Sequence, residues 1–405
     1  MCDTADRAYH AAANGGDTVR ILNGSYPGLS FSADPSKTGG TTVFAPDTPY
    51  GVTLTSATTF GANASFITVQ NFNVVSPTGG FVNNTTGLSQ NVTIDGNHIN
   101  IGQKVNGRPG AIGFYTNIDG YKIVNNVIGP TCCGSTNQSS PVAITIGKSN
   151  NLAPNANNVL IDNNTIQFAI RNAAYWPSSG YGAAPDVSCL ISTCHQDAIQ
   201  IWGIQNSTIS DNKIYNAEVQ GLFIENAAGA VNKNINIFNN AILVVGGSAA
   251  MNLKGIDGTW NIAFNSTANA IILGYGFPEA TPGTNVNFVG NNSALLMADT
   301  TGNNAGCTDG NPANVAFSYQ YNVWRSMGGA QGAGCSSTDV SGLPAFVSAA
   351  AAPATTADLH LAGADAQADN LVPAGICTAL VNRDRDGNTR PLNANCDAGA
   401  FERNQ

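Results

Sequence analysis

Charge is scarce in this chain of 405 residues: Lys, Arg, Asp and Glu together make up 10%, against roughly 25% in an average soluble protein. What charge there is leans acidic, 16 basic against 25 acidic residues for a net of -9, which argues against nucleic acid or an anionic membrane as the main partner. Also missing is any apolar run near the ~18 residues that a spanning helix requires, so insertion into a membrane is not expected. Helix formers are thin, whereas glycine, at 45 residues, exceeds the usual ~7%, and asparagine is conspicuous throughout. A helical bundle is excluded. With 42% apolar residues the chain has material for a large core, so wholesale disorder is excluded too. The composition points to a turn-dense all-β protein, and the length allows two or three units.

Methionine is sparse, at four, while cysteine reaches nine, a usage that suits an oxidising compartment. Cys189 and Cys194 bracket a short loop, Cys307 and Cys335 a longer region, and Cys377 and Cys396 the tail. An odd count leaves one over, and spacing alone does not assign the partners. Cys132 and Cys133 are adjacent, unlike a zinc pair. The expectation is a mature secreted domain without its export signal.

One octamer recurs down the chain, beginning at Ile67, Val92, Tyr121, Val159, Ser207, Ile235, Trp260, Val286 and Val315. The intervals between these starts are 25, 29, 38, 48, 28, 25, 26 and 29 residues. A basal period near 25 with two long intervals describes one supersecondary unit per repeat plus loop insertions. The sixth position is Asn in seven copies: Asn97, Asn126, Asn164, Asn212, Asn240, Asn265 and Asn291; the end copies carry Phe72 and Gln320. Asn tolerates left-handed backbone angles, so a fixed Asn marks a sharp bend, and stacked repeats would bring these amides into an internal ladder.

A second strand precedes most octamers: 111–115, 143–147, 198–202, 221–225, 250–254 and 270–274. Places two and four of each quintet are large and apolar, as period-2 burial demands. Short parallel strands stacked about 4.8 Å apart make a solenoid. At this point the chain resembles the right-handed parallel β-helix superfamily, the pectate-lyase-like architecture, over roughly residues 14–345. The resemblance implies an all-β right-handed parallel β-helix solenoid with an N-terminal capping helix and an irregular C-terminal tail segment. Residues 5–13 fit the cap, plugging an end that would otherwise expose strand edges, and 18–22 the first strand. The expected division is 1–345 for the capped β-helix and 346–405 for a tail packed upon it. In that tail, Asp384, Asp386, Gly387 and Asn388 faintly echo a calcium loop, but the Gly comes too early for an EF-hand, and a tight turn held by Arg–Asp pairs is the better reading.

In such a solenoid function falls to outward side chains and inserted loops. The first outward column of the quintets is Ala or Gly on every rung, read as a shallow floor. The other two columns gather Gln200, Trp202, Phe223, Glu225, Asn252 and Lys254 into one patch. Beside it, the insertion 167–194 offers Arg171, Tyr175, Trp176 and Tyr181 as a groove wall. Sugar rings pack their C–H faces on aromatics while amides bond their hydroxyls, so Gln200, Trp202, Phe223, Asn252, Arg171, Trp176 and Tyr181 are the expected substrate-binding residues. The expected catalytic residues are His195, Asp197, Glu225 and Lys254. His195 and Asp197 share a side of an extended segment, so that Asp197 would orient the imidazole. Glu225 and Lys254 share a column on adjacent rungs, which also suits a plain salt bridge.

With the superfamily this implies a secreted polysaccharide lyase acting on an acidic, uronate-containing polymer by β-elimination, as a monomer. Lys254 or His195 would be the base, and Arg171 or a Ca2+ held by Asp197 and Glu225 would neutralise the sugar carboxylate; no organic cofactor is implied. A glycoside hydrolase, which needs two carboxylates about 5–9.5 Å apart, and a non-catalytic carbohydrate-binding or adhesin β-helix are the alternatives.

Overall fold

The computed structural model describes residues 4–13, 16–76, 79–83, 86–100, 110–131, 142–147, 156–168, 197–217, 219–225, 232–244, 249–273, 281–298, 314–325, 336–348, 358–363 and 367–403. The chain forms two compact units, residues 1–205 with 227–230, and 206–226 with 231–405. Among the described residues no helix is long and apolar enough to cross a membrane.

The first unit stacks its strands in three parallel files, apart from the short strands Leu88–Gln90, Asn117–Asp119 and Ala156–Asn157, which pair with one another. One runs through Thr18–Ile21, Thr42–Pro46, Ile67–Gln70, Val92–Asp95, Lys122–Val124 and Leu160–Asp162. The second follows Gly24–Tyr26, Val52–Leu54, Asn73–Val75, His98–Asn100, Val127–Thr131 and Thr165–Phe168. The third follows Ser30–Phe31, Thr58–Phe60, Phe81–Asn83, Ile112–Phe114, Ile144–Ile146 and Asp197–Trp202. Each coil thus contributes one strand to each file, which is a parallel β-helix, right-handed as parallel crossovers are. Alternate residues point inward: Ile67, Val92, Tyr121 and Val159 are buried in one row, Val69, Ile94, Ile123 and Ile161 in the next. Helix α1 (Ala5–Ala11) closes the end, shorter than expected because Ala12 is already extended. Its Tyr9 is fully buried edge-on to Phe31 and donates to the Ser65 carbonyl.

The second unit repeats the plan. Its files run Asn232–Phe238, Ile256–Ala263, Thr284–Val289, Val315–Gln320; then Lys213–Ala217, Ala241–Val244 and the first residues of Ser266–Leu273 and Asn292–Ala298, followed by Val323–Arg325; then Gln220–Glu225, Ala249–Leu253 and the later residues of those same two long strands.

The amide ladder is present in both units. Asn97 Oδ1 accepts from the Phe72 N–H, Asn126 Oδ1 from Asn97, and Asn164 Oδ1 from Asn126. In the second unit the file runs Asn212, Asn240, Asn265, Asn291. It then continues to Asn322 and ends on Asp339, whose Oδ1 accepts from the Asn322 N–H (2.9 Å) and Nδ2 (3.1 Å). Two expectations are corrected here. The last octamer starts at Phe317, paired with Val286, not at Val315, so the ladder residue is Asn322 rather than Gln320. The left-handed bend falls one residue before the ladder position (Phe72 in the first of these coils, Asn in those after it), at Asn71, Asn125, Asn163, Asp211, Asn239, Phe264 and Tyr321 or at Gly96 and Gly290. The bend turns the chain, and the ladder side chain then points inward to bond the carbonyls that the bend leaves unpaired.

The tail packs on coils of its own unit. Leu361, Ala368, Val372, helix α2 (Ala374–Leu380) through Cys377, and Ala398 cover Ala263, Phe264, Val289 and Val323. A disulfide joins Cys377 to Cys396; the other seven cysteines lie outside the described residues. Arg390 is buried over the Phe264 ring and donates to Glu402, to the Asp397 and Gly399 carbonyls and to Asn239 Oδ1. The 384–388 segment is a tight turn, closed by Asp384 accepting from the Asp386 and Asn388 N–H groups and the Asn388 amide.

Candidate functional site

The third file carries the quintets, and their expected register holds within each unit: Ile112, Ile144 and Ile199 align in the first, Leu222, Met251 and Ile271 in the second. The shallow floor is not there. Ala111, Ala143, Ala198 and Ala250 are fully buried, and a Cβ on Gly80 would stand 2.4 Å from the Ala111 carbonyl. The first place is small because the neighbouring coil's backbone lies against it, not to leave room for a ligand.

In the first unit the outward places hold Gly113, Thr145 and Gln200 in one column. Tyr115 folds back across Gly113, whose Cβ would come within 2.7 Å of its ring. Burial raises the Tyr115 phenol, offset by a hydrogen bond with Thr145. Gly147, at φ 83°, lets the Trp202 backbone approach to a distance that a side chain would forbid. Gln200 and Trp202 are half-buried, and Asp197 is wholly buried at the head of its strand. Tyr115 was not among the expected contacts, although its place in the alternation, two residues beyond Gly113, marks it as outward.

In the second unit Phe223 pairs with Asn252, and the Lys254 N–H donates to the Ile224 carbonyl (2.8 Å), which sets Lys254 alongside Glu225. The Lys254 ammonium lies over the Phe223 ring, 4.7 Å from its centroid. Phe223 is accordingly buried, at 7% exposure, rather than presenting an open face. Glu225, Asn252 and Lys254 are half-buried. Asn252 Oδ1 is sequestered without a hydrogen-bond partner among the described residues. The structure therefore brings together Phe223, Glu225, Asn252 and Lys254. His195, Arg171, Tyr175, Trp176 and Tyr181 lie outside the described residues. No group of three metal-ligating side chains occurs among the described residues.

A further charged group was missed at sequence level. His360 is held between Asp358 at Nδ1 and Asp386 at Nε2 (2.7 Å), stacks on Phe401, and sits near Lys213, which pairs with Asp386 at 3.2 Å. These residues are separated by up to 188 positions, and no local motif joins them.

No protein-family model matches the chain, and no curated protein matches it. Among solved structures it is similar to a PL6 alginate lyase in complex with a trisaccharide, at 15% identity over 78% of this chain and 81% of that one, TM-score 0.33. It is also similar to the A-module of the Azotobacter vinelandii mannuronan C-5 epimerase AlgE4 (11% identity, 84% and 90% covered, TM-score 0.32). A third is the catalytic domain of a GH87 α-1,3-glucanase in complex with nigerose (12%, 75% and 63%, TM-score 0.29).

Proposed function

We propose that the protein is a secreted carbohydrate-active enzyme that cleaves an acidic, uronate-containing polysaccharide by β-elimination. The observation that carries this reading is the Lys254 ammonium fixed over Phe223 on an outward strand face, beside Asn252 and Glu225. A ring face attracts an ammonium through its negative quadrupole, so Lys254 is set to meet an anion. A uronate carboxylate neutralised there makes the C5 proton more acidic. A base then takes the C5 proton, the C4–C5 double bond forms, and the C4–O bond breaks with its electron pair leaving on oxygen. Asn252, half-buried on the same face, offers its side-chain amide to a sugar hydroxyl. A hydrolase would need a second carboxylate with access to water, and the burial of Asp197 weighs against it. The Cys377–Cys396 disulfide supports export.

The test is a panel of alginate, pectate, glucuronan and glycosaminoglycans, with and without chelator, followed by ultraviolet absorbance of unsaturated ends. One polymer is expected to give that band, and Lys254→Ala to reduce kcat/KM about 100-fold, an effect of charge-stabilising size. Reducing sugar without the band, or full turnover by the Lys254→Ala chain, would refute the reading.

A further inference from the structure

The first unit carries an aromatic feature that the lysine site does not use. Between the first and second files most corners are short: six positions separate Ile67 from Asn73. From Thr42, the partner of Ile67, to Thr53, the partner of Asn73, there are eleven. The added residues form a braced turn. The Thr48 N–H donates to Asn23 Oδ1 (3.3 Å), the Gly51 N–H to the Thr48 carbonyl (2.8 Å), the Tyr50 N–H to the Asn71 carbonyl (2.8 Å), and Asn73 Nδ2 to the Tyr50 carbonyl (2.9 Å). Gly51 is required there, since a Cβ would stand 2.1 Å from Asn23 Oδ1.

At the tip Tyr50 is held at φ 62°, a left-handed conformation that is costly for a bulky residue and persists where its surroundings impose it. Its ring lies flat on the His98 imidazole, centroids 4.0 Å apart at 13°, and Tyr50 remains 37% exposed. Burial lowers the His98 pKa, so the imidazole beneath is neutral at neutral pH. Val75, 55% exposed, faces outward on the strand next to His98, across from Asn100.

A rigid, uncharged ring facing solvent among side-chain amides suits one chemistry. The C–H face of a pyranose lies on the ring while the surrounding amides reach its hydroxyls. The apolar area is one ring and one valine, far below the ~800 Å² per partner of a protein interface. We propose that Tyr50, seated on His98, is an accessory carbohydrate-binding platform of the first unit, which holds a sugar ring of a polysaccharide by stacking. The inference does not depend on β-elimination, because stacking needs neither Lys254 nor a base.

Affinity electrophoresis of the full chain through native gels containing alginate, polygalacturonate or dextran tests it, in a Lys254→Ala background so that the second unit's cation does not contribute. At least one polymer is expected to retard the chain. Tyr50→Ala is expected to weaken that retardation about tenfold, the size of one lost stacking contact, and Tyr50→Trp to restore it. Thermal melts of both variants show whether the fold is kept. Absence of retardation by every polymer, equal retardation of Tyr50→Ala, or failure of Tyr50→Trp with its fold intact would overturn the proposal. Failure of the elimination reading would appear instead in the ultraviolet assay.

Discussion

Replacing Asp339 by Asn should stabilise the second unit at neutral pH. Asp339 accepts two hydrogen bonds from Asn322, both through one oxygen, Oδ1. Its other oxygen, Oδ2, is buried without a partner among the described residues. Burial raises the pKa of this carboxyl above the ordinary 3.8, and the Asn322 donors and nearby Ser336 offset only part of that. Along the file each ladder amide also donates to an inward carbonyl of an earlier coil: Asn265 to Ile237, Asn291 to Ile262, Asn322 to Phe288. Phe288 pairs with Tyr319, so the same pattern presents the Tyr319 carbonyl to residue 339. Asn would keep the Oδ1 bonds, remove a desolvated charge and add one such bond, worth about 1 kcal/mol. For a unit near 200 residues that is about 2–4 °C in Tm. The sign with pH follows from linkage. A carboxyl whose pKa is raised by folding favours the folded state most when protonated, below the ordinary value, and that advantage is lost as pH rises through the raised value. Calorimetry of both chains between pH 3 and pH 8 should therefore show the gain of Asp339→Asn at pH 7 and its disappearance near pH 3. A lower Tm for the variant at pH 7, or a gain that does not change with pH, would refute the reasoning.

Within the ladder the same logic predicts a loss. Asn265 accepts from the Asn240 N–H and Nδ2 and donates to Ile237, Ala263 and Asn291, so Asn265→Ala leaves several buried groups unpaired. Chemical denaturation should register a cost of about 3 kcal/mol; a cost below about 1 kcal/mol would make the ladder dispensable. The His360 clasp should act in a pH window. The hydrogen bonds to Asp386 and Asp358 raise the His360 pKa above 6.5, so its contribution is present below 6.5 and fades as pH rises through the raised value. The same His360 contact, with Lys213, depresses Asp386 to about 2, so its share is present above 3.8 and fades as pH falls toward about 2. His360→Gln should cost most between pH 4 and 6.5. Because these side chains are more than a third exposed or nearly so, screening limits the effect to about 0.5–1 kcal/mol. A melting curve for the variant that tracks the parent at every pH would remove the clasp.

Much of the fold was legible because large apolar residues recur at every second place along the strands. Ile67, Val92, Tyr121 and Val159, and the quintets at Ile112, Ile144 and Ile199, fall into register on apolar periodicity alone. Apolar periodicity misplaces the last octamer by two residues, because Val315, Phe317 and Tyr319 all fit the same face and parity does not distinguish them. The Asn at 322, and not parity, marks the true register there. Small size at Ala111 and Ala143 was legible, but not its cause, since a carbonyl from another coil is invisible to periodicity. Phe223 illustrates the same limit: alternation placed it outward, and only the fold shows that Lys254 covers it. Arg390 and its partners Asn239, Gly399 and Glu402 meet only after folding.

The hydrogen-bonded amide file has a sense of direction, since each member gives a proton to the next and takes one from the member before. A carboxylate at the terminus accepts from Asn322 and has no hydrogen to hand onward. A second molecule brought end to end at that point would find no donor to extend the series, so the acidic terminus discourages growth into fibres, the hazard of any open stack of strands.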